Sequence, residues 1–396
     1  MTKKILTGIS LAAMLSLNAN AQQLPNGTFD ADWVKCYPWE KGEKVTSDYG
    51  IQPEGWCVSN VPNGLMPKVS SEETGADGTG KAVKLSNVSV MGQTAPGYIT
   101  LGTSWATAET KLTTVRNADG GVFGGIEFTY HPDALQLQYK HDICKGEESM
   151  SIIAYLWKGT WTQLDVPSNT ATGVFSYGTA EKVTMIDRGN NILGKECLQG
   201  GEISKTDDAA LIAVAEKYIA EAADEWTTAT VELNYGEFAG QPVDVEKLNI
   251  VISVSDFFGD RESIVDGNSV CIDDVQLVYY HALSALSYEG QELNFDEATT
   301  SYDLSTEFYD ASKLSYTVKG QAATVSSNYD EATALLTIRV EGEDIASNPE
   351  SFTEYTIQFA TQPEPEPLLG DMDGDGVITV NDINLLIKSY LESKGE

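Results

Sequence analysis

Positive charge is what this chain has least of: its 396 residues carry 25 Lys and Arg against 59 Asp and Glu, a formal charge of −34 at pH 7. A field of that sign repels phosphate backbones and anionic lipid, so nucleic acid is excluded as a partner and cations or neutral ligands are favoured. Histidine is nearly absent, and His131, His141 and His281 have no evident triad partners. No G-x-S-x-G elbow, H-E-x-x-H pair or phosphate-binding glycine loop occurs. Cysteine is sparse and scattered. Cys36, Cys57, Cys144, Cys197 and Cys271 include no C-x-x-C pair, which disfavours zinc and redox motifs. Cys36 and Cys57 are candidates for a disulfide, although sequence does not set their separation. Cys271, in an alternating strand pattern, reads as a small buried apolar group.

Long apolar runs are also missing. The run from Ile5 to Leu17 has 13 residues, short of the roughly 20 that cross a bilayer as a helix. Lys3 and Lys4 precede it and Ala19-Asn20-Ala21 closes it, the pattern of a cleaved signal peptide over residues 1–21. The mature chain is expected to begin at Gln22. Losing Lys3 and Lys4 with the leader carries the formal charge from −34 to −36. The nearest cysteine to the cleavage site is Cys36, so an N-terminal lipid anchor has nothing to build on. The expected location is extracellular, cell-surface associated or periplasmic, without membrane insertion.

What is present is mostly strand. Gly125–Tyr130, Ser151–Trp157, Leu248–Val254 and Val270–Tyr279 are rich in β-branched and aromatic residues, with Gly, Asn, Asp and Pro clusters between them. This predicts a mainly β fold, an antiparallel sandwich rather than alternating βα units. One helix is expected inside the body, starting near Ser204 or Thr206, with Asp207 and Asp208 in its first turn and Leu211, Val214, Tyr218 and Ala222 along one face. From Leu283 to Thr361 short strands alternate with polar turns, which suits a small immunoglobulin-like sandwich over residues 282–361. Pro363-Glu-Pro-Glu-Pro367 then favours an extended spacer over residues 362–368.

Beyond the spacer lies the most specific chemistry. Asp371, Asp373 and Asp375 fall at positions 1, 3 and 5 of a 12-residue loop, Gly376 at 6, Val377 at 7 for its backbone carbonyl, Thr379 at 9 and Asp382 at 12. That spacing is the oxygen cage calcium requires. Ile383, Leu386, Ile387, Tyr390 and Leu391 follow at helical spacing, predicting a short amphipathic helix. The segment 369–396 resembles one half of a dockerin, in which such a loop and helix occur twice. The resemblance implies docking onto a cohesin-like or surface partner through loop positions 10 and 11, here Val380 and Asn381. The usual hydroxyl pair is absent there, and the sequence ends at Glu396 after one copy.

The body carries a second resemblance. The run Gly125–Leu135 (GIEFTYHPDAL) with Tyr139-Lys140, then Ser253–Asp260 (SVSDFFGD) leading to Val270–Tyr279 (VCIDDVQLVY), is similar to the putative carbohydrate metabolism domain (PCMD) of exported Bacteroidetes proteins, over roughly Asn26 to Tyr280. It implies a jelly-roll β-sandwich over residues 22–281 and a role toward a polysaccharide or oligosaccharide. In jelly rolls of that kind a last-strand carboxylate and the opening segment often share a structural calcium, so the resemblance makes Asp30 and Asp273 ligand candidates, with hydrogen bonding to backbone as the alternative. Alternation places Asp273 and Asp274 on opposite faces of one strand.

Trp56, Trp105, Trp157, Trp161 and Trp226 offer flat faces on which a sugar ring can stack. Trp157 shares a strand face with Tyr155 and reads as core. Trp56, Trp105 and Trp161 stand as carbohydrate-binding candidates, with Trp161 favoured for exposure because it follows a turn at Lys158-Gly-Thr160. Asp256, Asp260 and Glu262 form a loop cluster, read as a solvated turn ahead of a catalytic one, so no catalytic residue is assigned. Three functions follow: a glycan-binding or polysaccharide-processing accessory protein, a glycoside hydrolase, or a structural component of a surface assembly.

Overall fold

A computed structural model describes residues 23–36, 50–60, 68–90, 92–111, 114–162, 174–176, 193, 204–291, 293–362 and 369–395. The expected signal peptide over residues 1–21, Cys197 and residues 363–368 of the expected Pro/Glu spacer lie outside the described residues. The chain is mainly β and divides into two compact units. The first comprises residues 1–283 together with 318–324 and 340–353, and the second comprises 284–317, 325–339 and 354–396.

The first unit is built on two antiparallel sheets. One orders Ala210–Ile219, Met150–Lys158, Lys247–Ser253, Tyr98–Thr100 and Cys57–Val58, with Ile126–Glu127 also paired to Lys247–Ser253. The other orders Ala223–Glu232, Ala134–Asp142, Ser269–Val278, Lys81–Ser86 and Ser70–Thr74. The chain crosses repeatedly between the two sheets, although Ser70–Thr74 with Lys81–Ser86 and Met150–Lys158 with Ala210–Ile219 pair within one sheet, and the arrangement is a β-sandwich. Side chains of both sheets meet in one core, which includes Leu135, Leu137, Ile152, Ala154, Leu156, Ile250, Ile252 and Ile272.

The strand Met150–Lys158 is buried on both faces. Period-two alternation sends Ile152, Ala154 and Leu156 into the central core and Ile153, Tyr155 and Trp157 into a second cluster with Tyr98, Val122 and Phe257. The Tyr98 hydroxyl donates to the Gly121 carbonyl, 2.9 Å away, and Asn249 Nδ2 donates to the Tyr155 hydroxyl at 2.7 Å, so these buried polar groups are satisfied. The core assignment of Trp157 stands, at 1% exposure.

The expected inserted helix is a strand. Residues 210–219 run antiparallel to Met150–Lys158, with Leu211 opposite Trp157, Val214 opposite Tyr155 and Tyr218 opposite Ser151. The Asp207-Asp208 segment, read as a helix start, belongs to a turn in which Ala209 N–H donates to the Thr206 carbonyl at 3.1 Å. Helix propensity of an alanine-rich run is worth tenths of a kcal/mol per residue, and pairing with a buried strand outweighs it.

A further sheet, most of whose residues belong to the second unit, orders Ser301–Leu304, Phe352–Phe359, Leu335–Glu341 and Thr324–Asp330, and Ala282–Tyr288 pairs with Leu314–Lys319. The first two strands run parallel. Tyr288, Leu336, Ile338, Tyr355, Ile357 and Phe359 are buried, and Tyr309 stacks on Tyr329 at 4.2 Å. Thr324–Asp330 was not expected, because its polar sequence lacks the apolar alternation of a half-buried strand.

Candidate metal centre

The C-terminal acidic residues are drawn together by their own backbone. Gly374 N–H and Gly376 N–H donate to the two oxygens of Asp371 at 2.7 and 2.8 Å, Asp375 N–H to Asp373 Oδ1 at 3.3 Å, and Val377 N–H to Asp375 Oδ1 at 2.9 Å. Gly374 and Gly376 sit at φ 75° and 81°, the left-handed region where a side chain is strained, which lets the chain turn inside the carboxylates. One oxygen from each of Asp371, Asp373 and Asp375 lies within 4.8 Å of the others. Calcium takes oxygens at about 2.3–2.6 Å, so ligands on one ion are separated by no more than about 5 Å. The donor set is hard carboxylate oxygen throughout, which suits calcium or magnesium over softer metals.

Asp382 closes the loop from behind. It accepts from Thr379 N–H at 2.6 Å, Thr379 Oγ1 at 3.0 Å, Met372 N–H at 2.7 Å and Asp373 N–H at 3.3 Å. Those donors, Thr379 N–H foremost, pull its carboxyl down to about 2. Asp373 moves the other way, raised by desolvation and then by the charges of Asp375, Asp382 and Asp371. Asp382 also completes a capping box with Thr379, whose hydroxyl accepts from Asn381 N–H, at the start of the helix Val380–Lys394. Its apolar residues are open: Val380 is 73% exposed, Ile383 53%, Leu386 53% and Tyr390 60%.

The Asp30 and Asp273 candidates lie in one region of the sandwich without forming a comparable cradle. Among the described residues, the one group of three or more ligand side chains drawn close enough for a metal is Asp371, Asp373 and Asp375. Asp30 Oδ1 accepts from Lys81 N–H at 2.8 Å, while Asp273 accepts from Ala76 N–H at 2.7 Å and Asp274 N–H at 2.8 Å. Strict alternation at Asp273 and Asp274 gives way to a bulge, where Gln136 faces Gln276 but Gln138 faces Asp273, and Asp274 takes φ 49°. Asp273 is thereby buried at 4% exposure, and burial, with Asp274 and Asp30 adding repulsion, pushes its carboxyl up to about 6.

The tryptophan candidates separate. Trp56 is 2% exposed, donates Nε1–H to the Pro25 carbonyl at 2.8 Å and packs edge-on against Phe29 at 5.5 Å, so it is core and offers no face to a sugar. Trp105 lies in the strand Thr103–Lys111, and its side chain is outside the described residues. Trp161 is half-buried, with Lys205 Nζ 4.9 Å from its ring centre. Trp226, one of the five flat faces but not one of the three candidates, is half-buried in the strand Ala223–Glu232 and lines a cleft of about 460 Å³. Its partners there, Lys140, Glu73 and Cys271, come from three strands far apart in sequence.

Asp256 and Asp260 are exposed and bond to backbone two residues ahead, Phe258 N–H and Glu262 N–H, each at 3.0 Å. This is turn capping. Cys36, Cys57, Cys144 and Cys271 are free thiols, so the Cys36–Cys57 bridge is absent; Cys36 Sγ accepts from Asn60 Nδ2 and Cys57 Sγ meets Ser104 Oγ at 3.2 Å. His131 pairs with Glu343, Nδ1 to Oε1 at 3.0 Å, an ion-pair partner that spacing did not announce. Among the described residues no helix is long and apolar enough to cross a membrane.

No family model matches the sequence, and no curated protein matches it. Among solved structures, the chain is similar to a putative glycoside hydrolase from Bacteroides thetaiotaomicron, at 16% identity over 53% of this chain and 57% of that one, with TM-score 0.29. The chain thus spans little more than half of that protein's length. A putative glycoside hydrolase from Bacteroides vulgatus is matched at 16% identity over 59% and 89%, with TM-score 0.32. A GlcNAcα1-4Gal-releasing endo-β-galactosidase from Clostridium perfringens is matched at 9% identity over 86% and 82%, with TM-score 0.21.

Proposed function

We propose that the chain is an exported glycan-binding or polysaccharide-processing accessory protein carrying a calcium-held attachment module at residues 369–396. The observation that carries this reading is the cradle of Asp371, Asp373 and Asp375, with one oxygen from each within 4.8 Å of the others. Asp371, Asp373, Asp375, the Val377 carbonyl, Thr379 and Asp382 would hold the ion. Calcium supplies the positive charge that offsets repulsion among these carboxylates. The chain's own part is to aim them, through glycine turns and N–H donors.

The leader pattern supports export, and the resemblance of residues 26–280 to the putative carbohydrate metabolism domain supports a glycan ligand for the sandwich. The dockerin-like half repeat, with its exposed apolar helix residues, supports attachment to a cohesin-like or other surface partner. Binding is favoured over hydrolysis at the Trp226 cleft, because one carboxylate, Glu73, lines it and glycoside hydrolysis ordinarily takes two. Asp30 and Asp273 serve in this reading as anchors of the loop between Gly75 and Gly80.

A glycan array with the mature protein, its fold checked by circular dichroism, tests the ligand class. Retention of at least one polysaccharide is expected, and a folded protein that retains none contradicts the reading. Deleting residues 362–396 is expected to leave retention intact and to release the protein from its surface partner in cells; unchanged location would remove the attachment role.

A further inference from the structure

We propose that the cleft lined by Trp226, Lys140 and Cys271 is a subsite for an acidic saccharide, a sugar bearing a carboxylate or sulfate group; this rests on the glycan-binding reading above. The cleft of about 460 Å³ falls within the roughly 300–1,000 Å³ of small-ligand sites.

Register builds it. Cys271 pairs with Lys140 on one side and with Lys84 on the other, so the three residues form a row across neighbouring strands. Opposite Lys140 the strand Ala223–Glu232 bulges: Tyr139 faces Thr227, His141 faces Ala223, and Asp224 to Trp226 intervene. The bulge brings the Trp226 indole to the cleft, with Lys140 Nζ 5.3 Å from its ring centre. The opposite wall is Glu73 to Gly78. Asp273 fixes that wall by accepting from Ala76 N–H, and Asp30 fixes its far end through Lys81 N–H. A Cβ on Gly75 would stand 2.2 Å from the Thr79 carbonyl oxygen, so the loop closes only with glycine there.

Charge gives the ligand class. In a chain with 59 acidic residues and 25 basic ones, an available carboxylate is the ordinary partner of a lysine. Lys140 and Lys84 form no ion pair with a carboxylate among the described residues. The thiol between them does not supply the missing charge, because burial pushes the Cys271 pKa up and keeps it protonated. Glu73, the lining carboxylate, accepts from Thr74 N–H at 3.3 Å. An indole face beside the Lys140 ammonium, the one lysine lining the cleft, fits the apolar face of a sugar ring that carries an anionic substituent, with Lys84 one strand further along the same row.

The test is titration calorimetry of the mature chain with an oligogalacturonide, a sulfated oligosaccharide and neutral cello- and xylo-oligosaccharides, in the presence of calcium. Expected is binding of at least one acidic ligand, the two acidic arms separating carboxylate from sulfate, with a loss of about tenfold or more in Lys140→Gln and recovery in Lys140→Arg. Trp226→Ala should weaken the same ligand, and Trp226→Phe stands in if the alanine variant fails to fold. Acidic ligands bound equally by wild type and Lys140→Gln would overturn the subsite. Neutral ligands alone, bound unchanged by all variants, would overturn the subsite and leave glycan binding standing. If no glycan on the array and no oligosaccharide here is retained, both readings fall.

Discussion

Asp382 and Asp273 carry the same side chain under opposite pressures. Four donors hold Asp382 near 2, while burial lifts Asp273 to about 6, and Asp133 is likewise raised to about 6 by burial although Tyr280 N–H and Gln321 N–H both donate to it. A carboxyl raised in the folded state binds its proton where the unfolded chain, near pH 4, has lost it, so stability falls as pH rises between about 4 and 6. Each such group contributes at most about 1 kcal/mol per pH unit over that window. Urea denaturation at pH 4 to 7 with chelator present should therefore show a flatter pH dependence in Asp133→Asn and in Asp273→Asn than in wild type. A slope unchanged in both would refute the burial account. For Asp382 the sign is reversed: its favourable hydrogen bonding is present above about pH 4 and lost as pH falls toward 2. That Asp382 closes back on the Asp371–Asp375 turn was legible in the sequence, because the groups that meet there are near neighbours in the chain. The surroundings of Asp273 were not, because a bulge and a loop from residues 75–80 create them, and period-two reasoning contains neither.

Elements were legible where one period dominates. The helix Val380–Lys394 follows its apolar repeat and carries its own start and stop, the Thr379 capping box and Gly395 at φ 74°. Thr379→Ala should cost about 1 kcal/mol of helix stability, read as faster amide exchange at Ile383 to Leu391 in the full chain; unaltered exchange would show that the cap does not hold the helix. The strand Ala210–Ile219 was misread because its i, i+3, i+4 apolar set and acidic first turn satisfy the helical pattern, and only its buried neighbour decides otherwise. The bulge at Asp224–Trp226 is of the same kind: it exists in the pairing of two strands and leaves no mark in either one alone.

At the scale of the whole molecule, the β-sandwich was legible from strand-rich segments punctuated by turn residues, and the burial of Trp157 from the strand face it shares with Tyr155, whereas the burial of Met150–Lys158 on both faces was not. Trp157→Ala should destabilise the first unit by about 3–5 kcal/mol in urea denaturation, whereas a half-buried Trp226→Ala should cost far less. Equal losses would mean that Trp226 also belongs to a core. Which tryptophans meet solvent was not legible, since Trp56 is buried by Phe29 and Pro25 through contacts that neither flanking glycine nor local polarity discloses. The acidic balance, by contrast, acts on the chain as a whole, and the loop at Asp371 to Asp382 is where it is most concentrated into a site. Calcium titration of the mature protein by calorimetry, beside the double variant Asp371→Ala with Asp375→Ala, tests that site most directly. The account predicts saturable calcium uptake that the double variant loses at this loop; uptake identical in wild type and variant would contradict it.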